Sequence, residues 1–174
     1  MNIPNLLSLL RLLLVPIFAA VFFSPGPNSH RWAALIYAVA FATDIADGYI
    51  ARRFNMVTKL GRILDPLADK LLTFTALVCI AAKGVIPVWG VVILFCKEAL
   101  MGLGGLVLYQ HAGDVISANL LGKISTGVFF VVLAVLVLFP IPQPWSTALI
   151  VPALTLAVAA LIRYAVDFLK LMRK

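Results

Sequence analysis

Six apolar runs, each close to the length of a membrane-crossing helix, take up most of this chain, and short polar links join them. A spanning helix needs about 20 residues. The runs fall at about Asn5–Phe23, Arg31–Arg52, Leu60–Ala82, Val85–Tyr109, Val115–Phe139 and Trp145–Leu169. Hydrophobic residues make up 63% and charged residues 12%, with a mean hydropathy of +1.09. A soluble domain carries about 45–50% apolar and about 25% charged residues, so the chain reads as an integral membrane protein. The expected fold is all-α and polytopic: six transmembrane helices forming one domain over residues 1–174, with no room for a separate soluble domain.

The first run lacks the basic lead-in of a cleaved signal, since Arg11 lies inside it rather than before it. Cys79 and Cys96 fall in apolar stretches without a CxxC pattern, as buried thiols do. The net charge of +7 would suit nucleic acid in a soluble protein. Here the basic residues gather at helix ends, which points to topology and anionic lipid instead. Arg52, Arg53, Lys59 and Arg62 lie on one side with Lys170, Arg173 and Lys174, against His30, Arg31 and Lys83 on the other. The positive-inside rule then puts both termini and the link after the second run in the cytosol.

Four of the seven acidic residues, Asp44, Asp47, Asp65 and Asp69, lie within one window of 26 residues. A carboxylate inside a bilayer costs roughly 2.5–3.5 kcal/mol. Two of them about 5 Å apart repel by a further ~3 kcal/mol at an effective dielectric of about 20. At 100° per residue, Asp44, Asp47, Gly48 and Ala51 share an arc of about 100° on the second helix, and Gly61, Asp65 and Asp69 one of about 80° on the third. Two acidic faces on consecutive antiparallel helices can therefore converge, with small residues leaving space beside them. Hard oxygen donors without imidazole or thiolate point to Mg2+, Mn2+ or Ca2+. Two such ions suit phosphoryl-group chemistry. The competing account makes Asp65-Pro66 a helix start and Asp44 and Asp47 interfacial residues. It covers some of the four aspartates but not their shared faces.

Counted from the expected cytosolic ends, Asp44 and Asp69 lie roughly 12–14 Å deep, and Arg11, Lys123 and Arg163 roughly 9–12 Å. Cations at that depth face a bundle interior or a wet cavity unless they snorkel. One layer thus combines carboxylates with cations from other helices, as a site for a phosphate-bearing anion would. Lys97 and Glu98 lie deeper, in mid-helix, and as adjacent residues are expected to pair with other helices rather than with each other. Intramembrane carboxylates also mark ion pathways. A transporter reading lacks the internal repeat that many transporters show.

The spacing Asp44-x-x-Asp47-Gly48-x-x-Ala51-Arg52, eight residues, then Gly61-x-x-x-Asp65-x-x-x-Asp69 resembles the signature of the CDP-alcohol phosphotransferases. The likeness extends to the Asn-Ile-Pro-Asn-Leu-Leu-Ser-Leu-Leu-Arg11 opening and is strongest to bacterial phosphatidylglycerophosphate synthases and CMP-forming cardiolipin synthases. The resemblance implies transfer of a phosphatidyl group from CDP-diacylglycerol to a phosphate-bearing alcohol, with release of CMP. The favoured acceptor is glycerol 3-phosphate; phosphatidylglycerol or inositol phosphate are the alternatives. It further implies that Asp44, Asp47, Asp65 and Asp69 hold two Mg2+ or Mn2+ ions, with Asp69 as general base. Asp47, Gly48, Ala51, Arg52 and Gly61 would line the CDP pocket. Lys97, Lys123, Arg163 and Arg11 remain as candidates for the acceptor phosphate. Relatives that use glycerol 3-phosphate tend to carry Arg-Glu and then Leu-Arg on the fourth helix; here Lys97-Glu98 stands alone. Family likeness also implies a homodimer among membrane lipids, in a bacterial plasma membrane, with the site facing the cytosol.

Overall fold

The structure, a computed structural model, describes residues 3–54, 61–112 and 120–172. The side chains of Ile3, Pro4, Ala51, Arg52, Arg62, Ile63 and residues 109–112 lie outside that description. Each regular element is an α-helix: α1 Ile3–Phe22, α2 Ser29–Arg53, α3 Gly61–Ala82, α4 Val88–Ala112, α5 Leu120–Leu138 and α6 Trp145–Met172. The helices match the six apolar runs to within a few residues. Helix α4 starts at Val88 rather than Val85, after Pro87, whose carbonyl accepts the Gly90 N–H at 3.1 Å. The start of the fifth run, 115–119, lies outside the described residues.

Five helices are long and apolar enough to cross a membrane: α1, α2, α4, α5 and α6. Helix α3 stands apart from the equal sixth span expected, because Arg62, Asp65, Asp69 and Lys70 crowd its first half. Its 22 residues still reach about 33 Å, close to the hydrocarbon thickness. Large apolar side chains such as Leu13, Trp32, Phe95, Leu103, Val131 and Ile162 are all more than half exposed. Water would not tolerate such a surface; lipid is its solvent. The chain is a polytopic membrane protein.

The chain divides into two compact units: Met1–Lys83 with Ala134–Pro140, and Gly84–Leu133 with Ile141–Lys174. In the first, α1 packs along both α2 and α3, while α2 and α3 touch each other sparsely. Each helix contributes a seam at alternating three- and four-residue steps. Phe18 and Phe22 of α1 and Ala33, Tyr37 and Ala40 of α2 are all buried. The Phe18 ring lies 5.9 Å from Tyr37, and Phe22 lies 5.8 Å from His30. On α3 the seam is Ala68, Leu72, Ala76 and Cys79. Lys83, at the far end of α3, donates to the Phe22 carbonyl at 2.8 Å and sits 4.5 Å from its ring centroid. Alanines at the seams let backbones approach closely, which is how helices associate where lipid supplies no hydrophobic drive.

In the second unit α4 packs on α6. A side chain on Gly90 would meet Leu154, and one on Gly104 would meet Tyr164, so the two helices run in the same direction. The α6 seam is Ser146, Ile150, Ala153, Ala157 and Ala160, all buried. Ser146 Oγ donates to the Val85 carbonyl, and Gln143 Nε2 donates to that of Gly84 at 3.1 Å. Gly84 turns the chain with φ +72°, a conformation that favours glycine.

Candidate active site

The seam of the first unit changes character toward the start of α1. Continuing its steps, Phe18 is followed by Arg11 and Ser8, and the seam of α2 continues from Ala40 to Asp44 and Asp47. On α3 it continues back from Ala68 to Asp65 and the buried Gly61. Asn5, Ser8 and Arg11 are all buried, at i, i+3 and i+6 on α1. One end of a three-helix interface is thus polar while the other is apolar.

Arg11 is 1% exposed. Its Nη1 donates to Asp44 Oδ1 and its Nη2 to Asp47 Oδ2, so a single guanidinium bridges both α2 carboxylates. The Arg11 Nε–H is also buried, with no hydrogen-bond partner among the described residues. Ser8 Oγ donates to Asp65 Oδ1, tying α3 to the same face of α1. Asp47 is 2% exposed and lies in the field of Arg11, Asp44 and Asp65 together. Asp69, one turn further along α3, is half-buried and within electrostatic reach of Tyr37. The two acidic faces therefore converge on the polar face of α1.

Ser8 and Asn5 escaped the reading of the residues. The signal was present: three polar residues at three-residue spacing, Asn5, Ser8 and Arg11, in an otherwise apolar run. Gly48 is half-buried beside Asp47 on α2. Ala51 and Arg52 belong to the last turn of α2, and their side chains lie outside the described residues. Asp65-Pro66 is not a helix start, because α3 begins at Gly61 and Pro66 lies within it.

As they stand, no three His, Cys, Asp or Glu side chains among the described residues are disposed to hold a metal ion. Arg11, a broad planar cation, stands between the Asp44 and Asp47 carboxylates. The donor set nevertheless fits a hard divalent ion. Asp44, Asp47 and Asp65 are oxygen donors gathered on one face, and one guanidinium offsets a single unit of their charge.

The remaining candidate cations belong to the second unit. Lys97 is buried on α4, and its Nζ lies 2.6 Å from Glu98 Oε1. This corrects the expectation that the two would not pair: a long flexible lysine can fold back along the helix to its neighbour. Arg163 is 60% exposed and meets Asp167 at 3.5 Å, one turn on along α6. Lys123 of α5 is exposed. Gly104 and Gly105 form a helix contact, since the Tyr164 side chain lies 3.1 and 3.4 Å from where their Cβ atoms would be; Gly102 faces open space.

The sequence pattern of the CDP-alcohol phosphatidyltransferases matches residues 1–163. The chain is 38% identical over 154 residues to the CDP-diacylglycerol–glycerol-3-phosphate 3-phosphatidyltransferase of Bacillus subtilis, covering 81% of this chain and 79% of the relative. It is 37% identical over 129 residues to a CMP-forming cardiolipin synthase of Streptomyces coelicolor, covering 72% and 60%. Over a shorter stretch of 83 residues it is 50% identical to the CDP-diacylglycerol–glycerol-3-phosphate 3-phosphatidyltransferase of Pseudomonas fluorescens, covering 48% and 43%. This chain belongs to the CDP-alcohol phosphatidyltransferase family, enzymes of phospholipid synthesis.

Proposed function

We propose that this enzyme transfers the phosphatidyl group of CDP-diacylglycerol to glycerol 3-phosphate, giving phosphatidylglycerophosphate and CMP. The observation that carries the reading is the gathering of Asp44, Asp47 and Asp65 on one buried face of α1. The names of the Bacillus and Pseudomonas relatives support this acceptor. In the reaction, the acceptor hydroxyl oxygen bonds to the phosphatidyl phosphorus as the anhydride bond to CMP breaks. Asp69 takes the hydroxyl proton. Gly48 and Gly61 leave room for the diphosphate, and Ala51 and Arg52 complete the CDP pocket. Asp44, Asp47, Asp65 and Asp69 would hold two divalent ions, Mg2+ or Mn2+, which when bound offset the charge of the diphosphate and of departing CMP. Lys97, Lys123 and Arg163 are the candidates for the acceptor phosphate. The enzyme works as a homodimer in the plasma membrane, with its site open to the cytosol.

A second reading, cardiolipin synthesis from phosphatidylglycerol, rests on Lys97. An arginine there would grip a phosphate with two parallel bonds. This lysine is committed to Glu98 instead, and the Streptomyces relative bears the cardiolipin name. CMP release by purified enzyme, given CDP-diacylglycerol and Mg2+ or Mn2+, separates the two. Turnover with glycerol 3-phosphate supports the first reading; turnover with phosphatidylglycerol alone replaces it. No CMP with glycerol 3-phosphate, phosphatidylglycerol or inositol phosphate would count against both.

A further inference from the structure

Resting on the metal assignment above, we infer that Arg11 is the resident counter-ion of the aspartate site and that divalent metal binds by displacing its guanidinium from Asp44 and Asp47. Three observations converge on it. Arg11 bridges both carboxylates with its two terminal nitrogens. Among the described residues, no three acidic, histidine or cysteine side chains are disposed to hold a metal ion in this Arg11-bridged arrangement. The Arg11 Nε–H is buried without a partner among the described residues, so the hydrogen bonds to Asp44 and Asp47 come from the outer edge of the guanidinium.

The chemistry favours exchange over permanence. A membrane protein made before it meets metal must carry Asp44 and Asp47 through lipid, and a carboxylate pair that is uncompensated there is costly. Arg11 supplies the compensation from within the chain. A metal bound to the same oxygens removes the need for it, and two cations in contact with one carboxylate pair repel each other strongly. Arg11 and metal are then alternative occupants. Wild-type affinity for metal is lowered by the competition, and metal-free stability is raised by it.

The test reads metal binding and thermal stability, with no turnover involved. Mn2+ is titrated into purified enzyme in detergent, free ion is followed by its electron paramagnetic resonance signal, and unfolding is followed by circular dichroism. Arg11→Gln should bind Mn2+ about tenfold tighter or more, the order expected when one adjacent cation is removed. Its unfolding temperature should fall without metal and return to that of wild type at saturating Mn2+. Arg11→Lys keeps the charge but cannot bridge both carboxylates, so it should lie between the two; it decides the matter if Arg11→Gln does not fold. In Arg11→Ala, added methylguanidinium should raise metal-free stability and weaken Mn2+ binding competitively. Unchanged or weaker Mn2+ binding in Arg11→Gln and Arg11→Lys would overturn the exchange, making Arg11 a brace, and leave the metal assignment standing. Absence of Mn2+ binding from wild type and variants alike would remove both.

Discussion

Asp47 and Arg11 are buried to within a few per cent, and each offsets the charge of the other there. Ser8 plays a smaller part on α3, where its hydroxyl holds Asp65. Ser8→Ala should lower unfolding free energy by about 1–3 kcal/mol, the cost of leaving the part-buried Asp65 carboxylate without that donor; equilibrium unfolding in mixed micelles measures it. Asp69, half-buried on α3, is the proposed general base. Asp69→Asn should reduce CMP release by about 100-fold or more, the typical contribution of a general base. Preserved turnover in that variant would remove Asp69 from the role. The aspartates were legible in the sequence because charges in apolar runs are costly, and the bland account of a helix start and interfacial residues did not cover their shared faces. Ser8 was not, because small polar residues occur throughout membrane helices and acquire meaning when a partner from another helix is seen.

Helices read well from hydropathy and poorly from local signals that tertiary contact overrides. Pro66 suggested a start at Asp65, yet α3 begins at Gly61 and carries Pro66 within it. Proline is tolerated inside membrane helices because neighbouring groups satisfy what it leaves open. Lys97 and Glu98 pair as neighbours, which helix-face geometry argued against and side-chain length permits. The α4–α6 contact rests on close fit at Gly104, where a Cβ would stand 3.1 Å from Tyr164 Cε1. Gly104→Leu should destabilise the protein by about 1–3 kcal/mol through overpacking. In a Tyr164→Ala background that penalty should largely vanish, and a double-mutant cycle measures the coupling. Gly84→Ala should cost about 1 kcal/mol, since φ there is +72°; thermal unfolding of the single variant tests it.

At the scale of the molecule, an enzyme of lipid synthesis is built almost wholly of apolar helices, with its charges drawn to one end of a seam. The Lys/Arg bias predicts that Phe54 and Met172 face the cytosol and that Gly26 and Gln143 face the other side. With Cys79 and Cys96 replaced by alanine, single cysteines at Gly26 and Gln143 should react with an impermeant thiol reagent in intact cells. Those at Phe54 and Met172 should react after permeabilisation; the reverse pattern would invert the topology. The sequence by itself determined a six-helix membrane protein, its family, and the four acids of the candidate site. Composition and spacing along one chain carry that information without reference to any contact. What the tertiary structure decided is that α1 lies between α2 and α3, and that Arg11 and Ser8 collect the acids of both. A helix seam shows which residues of one helix face inward. Which partner they meet depends on how three such seams pack, and the buried alanines Ala33, Ala40, Ala68 and Ala76 leave room for that close approach.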